Sequence, residues 1–538
     1  MTTVDGATII ARSLREQGVE HMFGVLGVPV YPIAHAAERE GIHFYAFRNE
    51  QAASYAAGAV GYLTGRPGVC LAVSGPGMIH AIAGLANASA NCWPMLLLGG
   101  SNDSYQNGLG AFQEAPQIEA ARPFVKYAAR PDSPERMPFF IAQAVRHAMH
   151  GRPGAVYVDL PGDFISGQFE SAAVSYPACV PLPERAPVGQ ESIAKALDAL
   201  RSAKRPLVVV GKGAAYARAE DEVASFIDRT QLPFLPTPMA KGLLPDDHPL
   251  AVSPARSFAL QNADVIFLVG ARLNWMLHFG AEPRFAPDVR IIQLDLSAEE
   301  IGSNVPVEVP LVGDAKAVLG QLTAALEADP WEYPGETTWR SELDERVRKN
   351  QAEVAAMCAD DSVPMGYYRA LREIAEQLPR ESILVTEGSN TMDIARTVLP
   401  SFLPRHRLDA GTFGTMGVGL GFAIASAILN PHQRTFAVEG DSAFGFSGME
   451  VEVACRFNLP ITFIILNNDQ GGGQRYVPKA RYEKIIEVFG GNGYYAQTPD
   501  ELRDALRAAA TDSVPNIINV QIDPKAQRKA QAFNWLTR

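Results

Sequence analysis

Short continuous runs of Val, Ile, Leu and Phe recur along this chain, each followed by an Ala-rich or amphipathic stretch of helical length. In the first block, strands are predicted at His43 to Phe47, Val69 to Ser74, Met95 to Leu98 and Ala155 to Asp159, with helices over Glu50 to Thr64 and Gly77 to Ser89. Uninterrupted apolar runs, as opposed to alternating ones, mark parallel strands covered on both faces. The pattern returns at Pro206 to Gly211, Ala263 to Gly270 and Val289 to Leu296, and again at Ser382 to Thr386, Arg434 to Glu439 and Pro460 to Leu466. A Pro-spotted stretch from Ser171 to Gly189 reads as a linker, and the charged run from Asp329 to Pro364 reads as a connecting helix plus linker. The expected architecture is α/β, with three doubly wound parallel-sheet domains over residues 1–170, 190–328 and 365–538.

Composition narrows the partners. A net charge of -12 without a basic stripe argues against nucleic acid. The five cysteines are scattered and odd in number, with no CxxC, which fits a reducing compartment and neither a disulfide framework nor a zinc site. No signal-like segment, membrane-spanning run or peroxisomal tripeptide is read, so the expected protein is cytoplasmic with no membrane partner.

The most informative stretch is Gly440-Asp441-Ser442-Ala443, followed 27 positions after Asp441 by Asn468. Arg434 to Glu439 reads as a strand, Ser447 to Asn458 as an amphipathic helix and Pro460 to Leu466 as the next strand. A right-handed crossover then sets Asp441 and Asn468 together at the carboxyl edge of the sheet. Two oxygen ligands without Cys or His favour a small hard cation, and a helix opening behind Gly440 offers N–H groups to an anion. The pair suits a magnesium-bridged diphosphate. The competing reading is a helix cap and a strand-end turn.

Other candidates are weaker alone. Glu50 opens a helix, where acidic residues commonly stabilise the dipole. Gly411 to Gly421, with Gly414, Thr415 and Met416, is Gly-rich but lacks the register of a dinucleotide loop, so it is read as backbone packed on a flat ring with Met416 as a wedge or, alternatively, a core gap-filler. Glu387-Gly388-Ser389-Asn390 follows a strand and offers phosphate contacts or a simple cap. Gly211-Lys212-Gly213 is a solvated turn or a phosphate contact, and it is not a Walker loop.

Taken together, Arg48-Asn49-Glu50-Gln51-Ala52-Ala53, Ser74-Gly75-Pro76-Gly77, Gly211 to Ala217, Ala271 to Trp275, Leu408 to Gly417 and Gly440 to Glu450 resemble the thiamine diphosphate superfamily of decarboxylases, ligases and carboligases. Within it the chain is most similar to the 2-hydroxyacyl-CoA lyases and their oxalyl-CoA decarboxylase relatives, over nearly its whole length. The resemblance implies a pyrimidine-binding first domain, a middle domain and a diphosphate-binding third domain, with each site shared by two subunits of a homodimer and a homotetramer as the full assembly. It implies thiamine diphosphate and Mg2+ as cofactors, with ADP as a further ligand. Glu50 becomes the acid on the pyrimidine, the Gly414 carbonyl the acceptor for the 4′-amino group, and Met416 the wedge. Asp441, Asn468 and the Gln470 carbonyl become metal ligands, with Gly388, Ser389, Asn390, Thr415, Gly440, Ser442 and Ala443 beside the cofactor. Arg152, Lys212, Arg272, Asp295 and Asp314 are carried over to the CoA nucleotide or ADP.

The implied reaction cleaves 2-hydroxyacyl-CoA between the thioester carbonyl and C2, giving formyl-CoA and an aldehyde one carbon shorter, and runs backwards as a carboligation. Phe112-Gln113 matches the lyases, where the decarboxylases carry Tyr-Glu; otherwise Gln113 is a loop residue. Arg528 to Leu536 resembles a closing lid. One stretch departs from the pattern: relatives continue from the paired Asn into Gly-Ile-Tyr and a longer segment, whereas this chain reads Asp469-Gln470-Gly471-Gly472-Gly473-Gln474-Arg475-Tyr476. Two other readings stay open, an oxalyl-CoA decarboxylase and a CoA- or ADP-binding protein without catalysis.

Overall fold

Three parallel sheets organise the chain, and every apolar run noted above contributes a strand to one of them. The computed structural model describes residues 2–471 and 473–529. The first sheet holds β1 (His21–Gly24), β2 (His43–Ala46), β3 (Gly68–Ala72), β4 (Met95–Ser101), β5 (Tyr127–Ala129) and β6 (Ala155–Pro161), in the order β2-β1-β3-β4-β6-β5. The middle sheet holds β7 (Pro206–Val210), β8 (Phe234–Pro236), β9 (Val265–Val269), β10 (Arg290–Asp295) and β11 (Val309–Val312), in the order β8-β7-β9-β10-β11. The third holds β12 (Ile383–Glu387), β13 (Arg407–Asp409), β14 (Thr435–Gly440), β15 (Ile461–Asn467), β16 (Asn492–Ala496) and β17 (Asn516–Gln521), in the order β13-β12-β14-β15-β17-β16. The first and third sheets therefore share one topology.

In all three, strand order reverses between the first and third strands of the sheet. Loops leaving the carboxyl ends of those two strands splay apart, and ligands of doubly wound sheets bind in the crevice between them. The crevice of the third sheet lies between the loop after β12, at Gly388, and the loop after β14, at Gly440. That of the middle sheet lies between Gly211-Lys212 after β7 and Gly270-Ala271-Arg272 after β9.

Helix α1 (Glu50–Thr64) follows β2 and α2 (Pro76–Asn91) follows β3. Residues 52–62 of α1 are nearly all buried, as are residues 419–427 of a later helix, Gly419–Leu429. Both are apolar or small on every side, which suits helices enclosed on all faces and not surface ones. Helix α3 (Thr338–Cys358) is the charged connecting helix; it buries Trp339, Leu343 and Cys358 and leaves most of its length to solvent. Its anchor is Trp339, whose Nε1 donates to the Pro206 carbonyl at 2.9 Å.

The segment between β14 and β15 differs from the single helix expected over Ser447 to Asn458. It is split into α4 (Asp441–Ser447), a 3-10 turn (Gly448–Glu450) and α5 (Val451–Arg456). The break is at Gly448, where a Cβ would come within 2.9 Å of the Phe444 ring. Close ring packing and poor helix propensity together end α4 there. The shortened segment after Asn468 forms a small hairpin, Gln470–Gly471 against Gln474–Arg475.

Candidate active site

The first group of site residues gathers at the carboxyl edge of the first sheet. Glu50 is the first residue of α1, with the Asn49 side chain capping the helix by accepting from Gln51 N–H at 2.7 Å. One carboxylate oxygen of Glu50, Oε2, is 3.2 Å from His80 Nδ1, one turn into α2. The other, Oε1, faces Gly77, where a Cβ would lie 3.1 Å away, so the glycine leaves room for the carboxyl group. Gln113 takes a left-handed conformation with φ of 55°, and its carbonyl lies against Gly75 at the start of α2. Phe112 beside it is exposed. The α2 start thus brings Glu50 and the Phe112-Gln113 loop to one region.

The second group lies in the crevice of the third sheet. Gly388, with φ of +102°, begins the helix Ser389–Val398 in a backbone conformation open to glycine alone, and a Cβ there would sit 3.2 Å from the Gly440 nitrogen. The two glycine turns therefore stack, with Ser389 and Asn390 on one side and Gly440, Asp441, Ser442 and Ala443 on the other. Asp441 is buried, its Oδ1 accepts from Ser442 N–H at 2.8 Å, and its Oδ2 is buried without a hydrogen bond. Burial pushes its carboxyl up to about 6, against the lowering effect of the Ser442 and Gln470 N–H groups. Asn468 bonds Tyr367 OH through Nδ2 at 3.0 Å and accepts from Gln470 N–H through Oδ1 at 3.2 Å.

A buried carboxylate oxygen without a hydrogen bond at a sheet edge leaves room for a cation to satisfy it. Among the described residues no ion pair to Asp441 is formed, and a divalent ion is the group that would join its carboxylate to an anion seated on the N–H groups of α4. Among the described residues no cluster of three or more His, Cys, Asp or Glu is arranged to hold a metal. Any ion here has to draw on amide, carbonyl and phosphate oxygens beside Asp441. A diphosphate with a hard divalent cation fits that donor set. In this structure the Gln470 N–H is the group turned toward Asn468 and Asp441.

The loop from Gly411 to Gly417 joins the two groups to the middle sheet. Gly414 is exposed at its tip, Thr415 Oγ1 donates to Asn87 Oδ1 at 3.0 Å, and Met416 is half-buried. Its end is clasped by Glu387, whose carboxylate accepts from the N–H groups of Gly417 and, at 2.6 Å, Gly419. Glu387 is therefore directed into the fold, to Gly417 and Gly419, and is not free for the phosphate contact its place after the strand suggested. Burial raises it to about 7, and the buried Glu439, paired with it across β12 and β14, is held well above the usual range by burial and by the charge of Glu387.

Arg152, Lys212, Arg272, Asp295 and Asp314 all line one cavity of about 230 Å³ in the middle-sheet crevice. Arg152 pairs with Glu300 at 2.8 Å and sits 3.7 Å from Asp295, while Asp314 meets Arg185 at 3.1 Å. Lys212 is already engaged, with Nζ donating to Asn91 Oδ1 at 2.6 Å and Thr412 Oγ1 at 3.2 Å. Arg272 donates to the Ala90 carbonyl at 2.8 Å and to the same Thr412 hydroxyl at 3.2 Å. The three domains therefore meet at Thr412, and burial, with the Arg272 charge, lowers the Lys212 ammonium to about 7.

Several neighbours were not evident from the motifs: His80 on Glu50, Asn87 and Asn91 under the Gly-rich loop, Glu439, and Tyr476, whose hydroxyl reaches Ser442 Oγ at 3.0 Å from the hairpin. Spacing along one helix, Gly77 to His80, was the one local signal for any of them. Of the segment expected to act as a lid, Arg528 is paired with Asp393 at 2.7 Å, and Ala530 to Leu536 lie outside the described residues. No hydrogen bond joins Glu50 to Asp441 within one chain among the described residues.

Comparison with known proteins agrees with this arrangement at the level of the whole chain. Residues 4–121 match the N-terminal TPP binding domain of thiamine pyrophosphate enzymes, 193–322 their central domain and 387–520 their C-terminal TPP binding domain. The chain is 50% identical to human 2-hydroxyacyl-CoA lyase 1, covering 99% of this chain and 97% of that protein. It is 44% identical to the rice 2-hydroxyacyl-CoA lyase, covering 97% and 96%, and 41% identical to the oxalyl-CoA decarboxylase of Escherichia coli, covering 97% and 95%. Three matched domains and full-length relatives, on the three-sheet architecture above, place this chain in the thiamine pyrophosphate enzyme family.

Proposed function

We propose that this protein is a thiamine diphosphate-dependent carbon-carbon lyase that cleaves 2-hydroxyacyl-CoA to formyl-CoA and an aldehyde one carbon shorter, and that joins the two in the reverse direction. The observation that carries the reading is identity of 50% to a 2-hydroxyacyl-CoA lyase over 99% of the chain. When bound, the coenzyme supplies an electron sink next to the thioester carbonyl, which lets the bond to C2 break.

The chain's own residues supply placement and proton control. Glu50 holds a proton at N1′ of the aminopyrimidine, and the Gly414 carbonyl accepts from the 4′-amino group. Met416 wedges the two rings. Asp441, Asn468 and the Gln470 carbonyl would hold Mg2+ beside the diphosphate, with Gly388, Ser389, Asn390, Gly440, Ser442 and Ala443 around it, while Thr415 steadies the loop. Gln113 offers a neutral amide to the oxygen of the departing aldehyde, with Phe112 covering it. Arg152, Lys212, Arg272, Asp295 and Asp314 receive the nucleotide end of CoA, or ADP. Glu50 of one protomer and Asp441 of its partner complete one site in a homodimer, with a homotetramer as the larger assembly.

The test incubates the protein, thiamine diphosphate and Mg2+ with a 2-hydroxyacyl-CoA and follows formyl-CoA and aldehyde, alongside Glu50→Gln. Product from the wild type and its loss in E50Q are expected. Similarity to an oxalyl-CoA decarboxylase at 41% identity supports a parallel arm with oxalyl-CoA, in which faster release of carbon dioxide than of aldehyde reverses the assignment.

A further inference from the structure

Glu450 lies apart from the groups that meet the coenzyme or substrate, yet it is among the most buried carboxylates of the chain, at 1% exposure. It sits in the turn between α4 and α5, on the third sheet's side. Its Oε2 accepts from Arg48 N–H at 3.1 Å, and the Asn49 N–H is close enough to favour the charged form of the same carboxylate. These are the two residues before Glu50. Past Phe47, whose N–H still bonds Gly24, the chain has left β2, and the following N–H groups have no strand to pair with. The acceptor they need comes from the other domain.

Two further contacts grip the same turn. Arg456, at the end of α5 and held by Glu452 at 2.6 Å, donates to the Ala46 carbonyl at 2.8 Å. The Tyr45 and Phe457 rings meet edge to face at 4.9 Å between centroids. Residues 45, 46 and 48 are thus held by the segment 450–457, which continues directly from Asp441 and α4. A buried carboxylate bonded to the Arg48 N–H, with the Asn49 N–H beside it, restrains the direction in which the chain enters α1, and Glu50 is the next residue.

We propose that Glu450, with Arg456 beside it, is a positioning residue that sets the orientation of Glu50, so that each chain's diphosphate domain aims its own pyrimidine acid. This rests on the coenzyme reading above. Glu450 touches neither substrate nor coenzyme and acts through the Arg48-Asn49 turn.

The full-length protein is tested as wild type, Glu450→Ala and Glu450→Gln. Without coenzyme, amide exchange at Arg48 and Asn49 is expected to quicken about tenfold in E450A, the effect of one charge-assisted hydrogen bond. With saturating thiamine diphosphate and Mg2+, exchange of the coenzyme C2 proton and kcat are expected to fall together, by about 100-fold for a displaced catalytic group. KM for the acyl-CoA and the calorimetric affinity for the coenzyme are expected to stay within about threefold, because the residues assigned to the diphosphate, the metal and the acyl-CoA are untouched. E450Q keeps one acceptor and is expected to fall between the two; it also serves if E450A does not fold.

Wild-type rates of C2 exchange in both variants, or an unaltered turn in the amide exchange, would overturn the proposal. So would a loss confined to coenzyme affinity, which marks a merely structural role. If the wild type itself takes up no thiamine diphosphate, the coenzyme reading falls and this assignment falls with it. Uptake in the wild type combined with an indifferent E450A removes this assignment alone.

Discussion

Replacing Asp441 by Asn should make the coenzyme-free protein more stable while abolishing cation-dependent coenzyme binding. Burial moves the Asp441 carboxyl from its ordinary 3.8 to about 6. At about 1.4 kcal/mol per tenfold, the ionised form costs the folded protein on the order of 3 kcal/mol. A carboxyl raised in this way contributes its stability below pH 3.8 and loses it as the pH rises through 6, so the cost is complete at pH 7.5. Asn keeps the acceptor for Ser442 N–H but turns an amide NH2 toward the side where Oδ2 has no partner, returning about 1 to 2 kcal/mol. The net expectation is a gain of roughly 1 to 2 kcal/mol for D441N at pH 7.5, shrinking toward zero at pH 5.

Urea unfolding of both proteins with a chelator present, at the two pH values, measures the gain. Adding Mg2+ and thiamine diphosphate at about 100 times their dissociation constant should stabilise the wild type by about 2.7 kcal/mol and leave D441N unchanged. A variant that is less stable without the ion, or that gains as much from the ligands as the wild type, refutes the reasoning that this carboxylate is buried for a cation.

Gly421→Ala places a Cβ 2.6 Å from the Ala52 carbonyl oxygen and 3.2 Å from Tyr55 Cβ, both on α1, so urea unfolding should show a loss of about 1 to 3 kcal/mol, whereas Gly189→Ala, with nothing within 4 Å, should be near neutral. Burial also raises the Glu450 carboxyl to about 7, so its stability contribution, complete below pH 4.5, is lost as the pH rises through 7; E450Q should flatten the pH dependence of unfolding between pH 5 and 8. Lys212, lowered to about 7, should regain its proton when an anionic nucleotide enters its cavity. Calorimetry of ADP binding near pH 8 in buffers of different ionisation enthalpy should then report proton uptake in the wild type and none in Lys212→Met.

Much of the fold could be read without coordinates, for a physical reason. Short continuous apolar runs such as Leu207 to Val210 and Ile461 to Leu466 are buried strands, because a backbone flanked by such side chains has no solvent-facing side, whereas the longer run Gly419–Leu429 is a buried helix. Glycine turns after strands likewise announced the sheet edges at Gly388 and Gly440. Local pattern failed after Gly440, where amphipathic spacing suggested one helix over Ser447 to Asn458 and the chain instead forms two short helices, Asp441–Ser447 and Val451–Arg456, broken where Gly448 packs on Phe444.

What residue order determined by itself was the set of three sheets, the strand ends on which chemistry sits and the family signature. Tertiary structure alone decided the company those residues keep: His80 against Glu50, Glu450 under Arg48, Lys212 and Arg272 meeting Thr412, and Glu387 turned from the crevice to clasp Gly417. Arg48 and Glu450 stand 402 positions apart, and Lys212 and Thr412 stand 200 apart. Hydrophobic periodicity acts over one turn or two residues, whereas a buried polar atom takes whichever partner the packing of distant elements brings within reach.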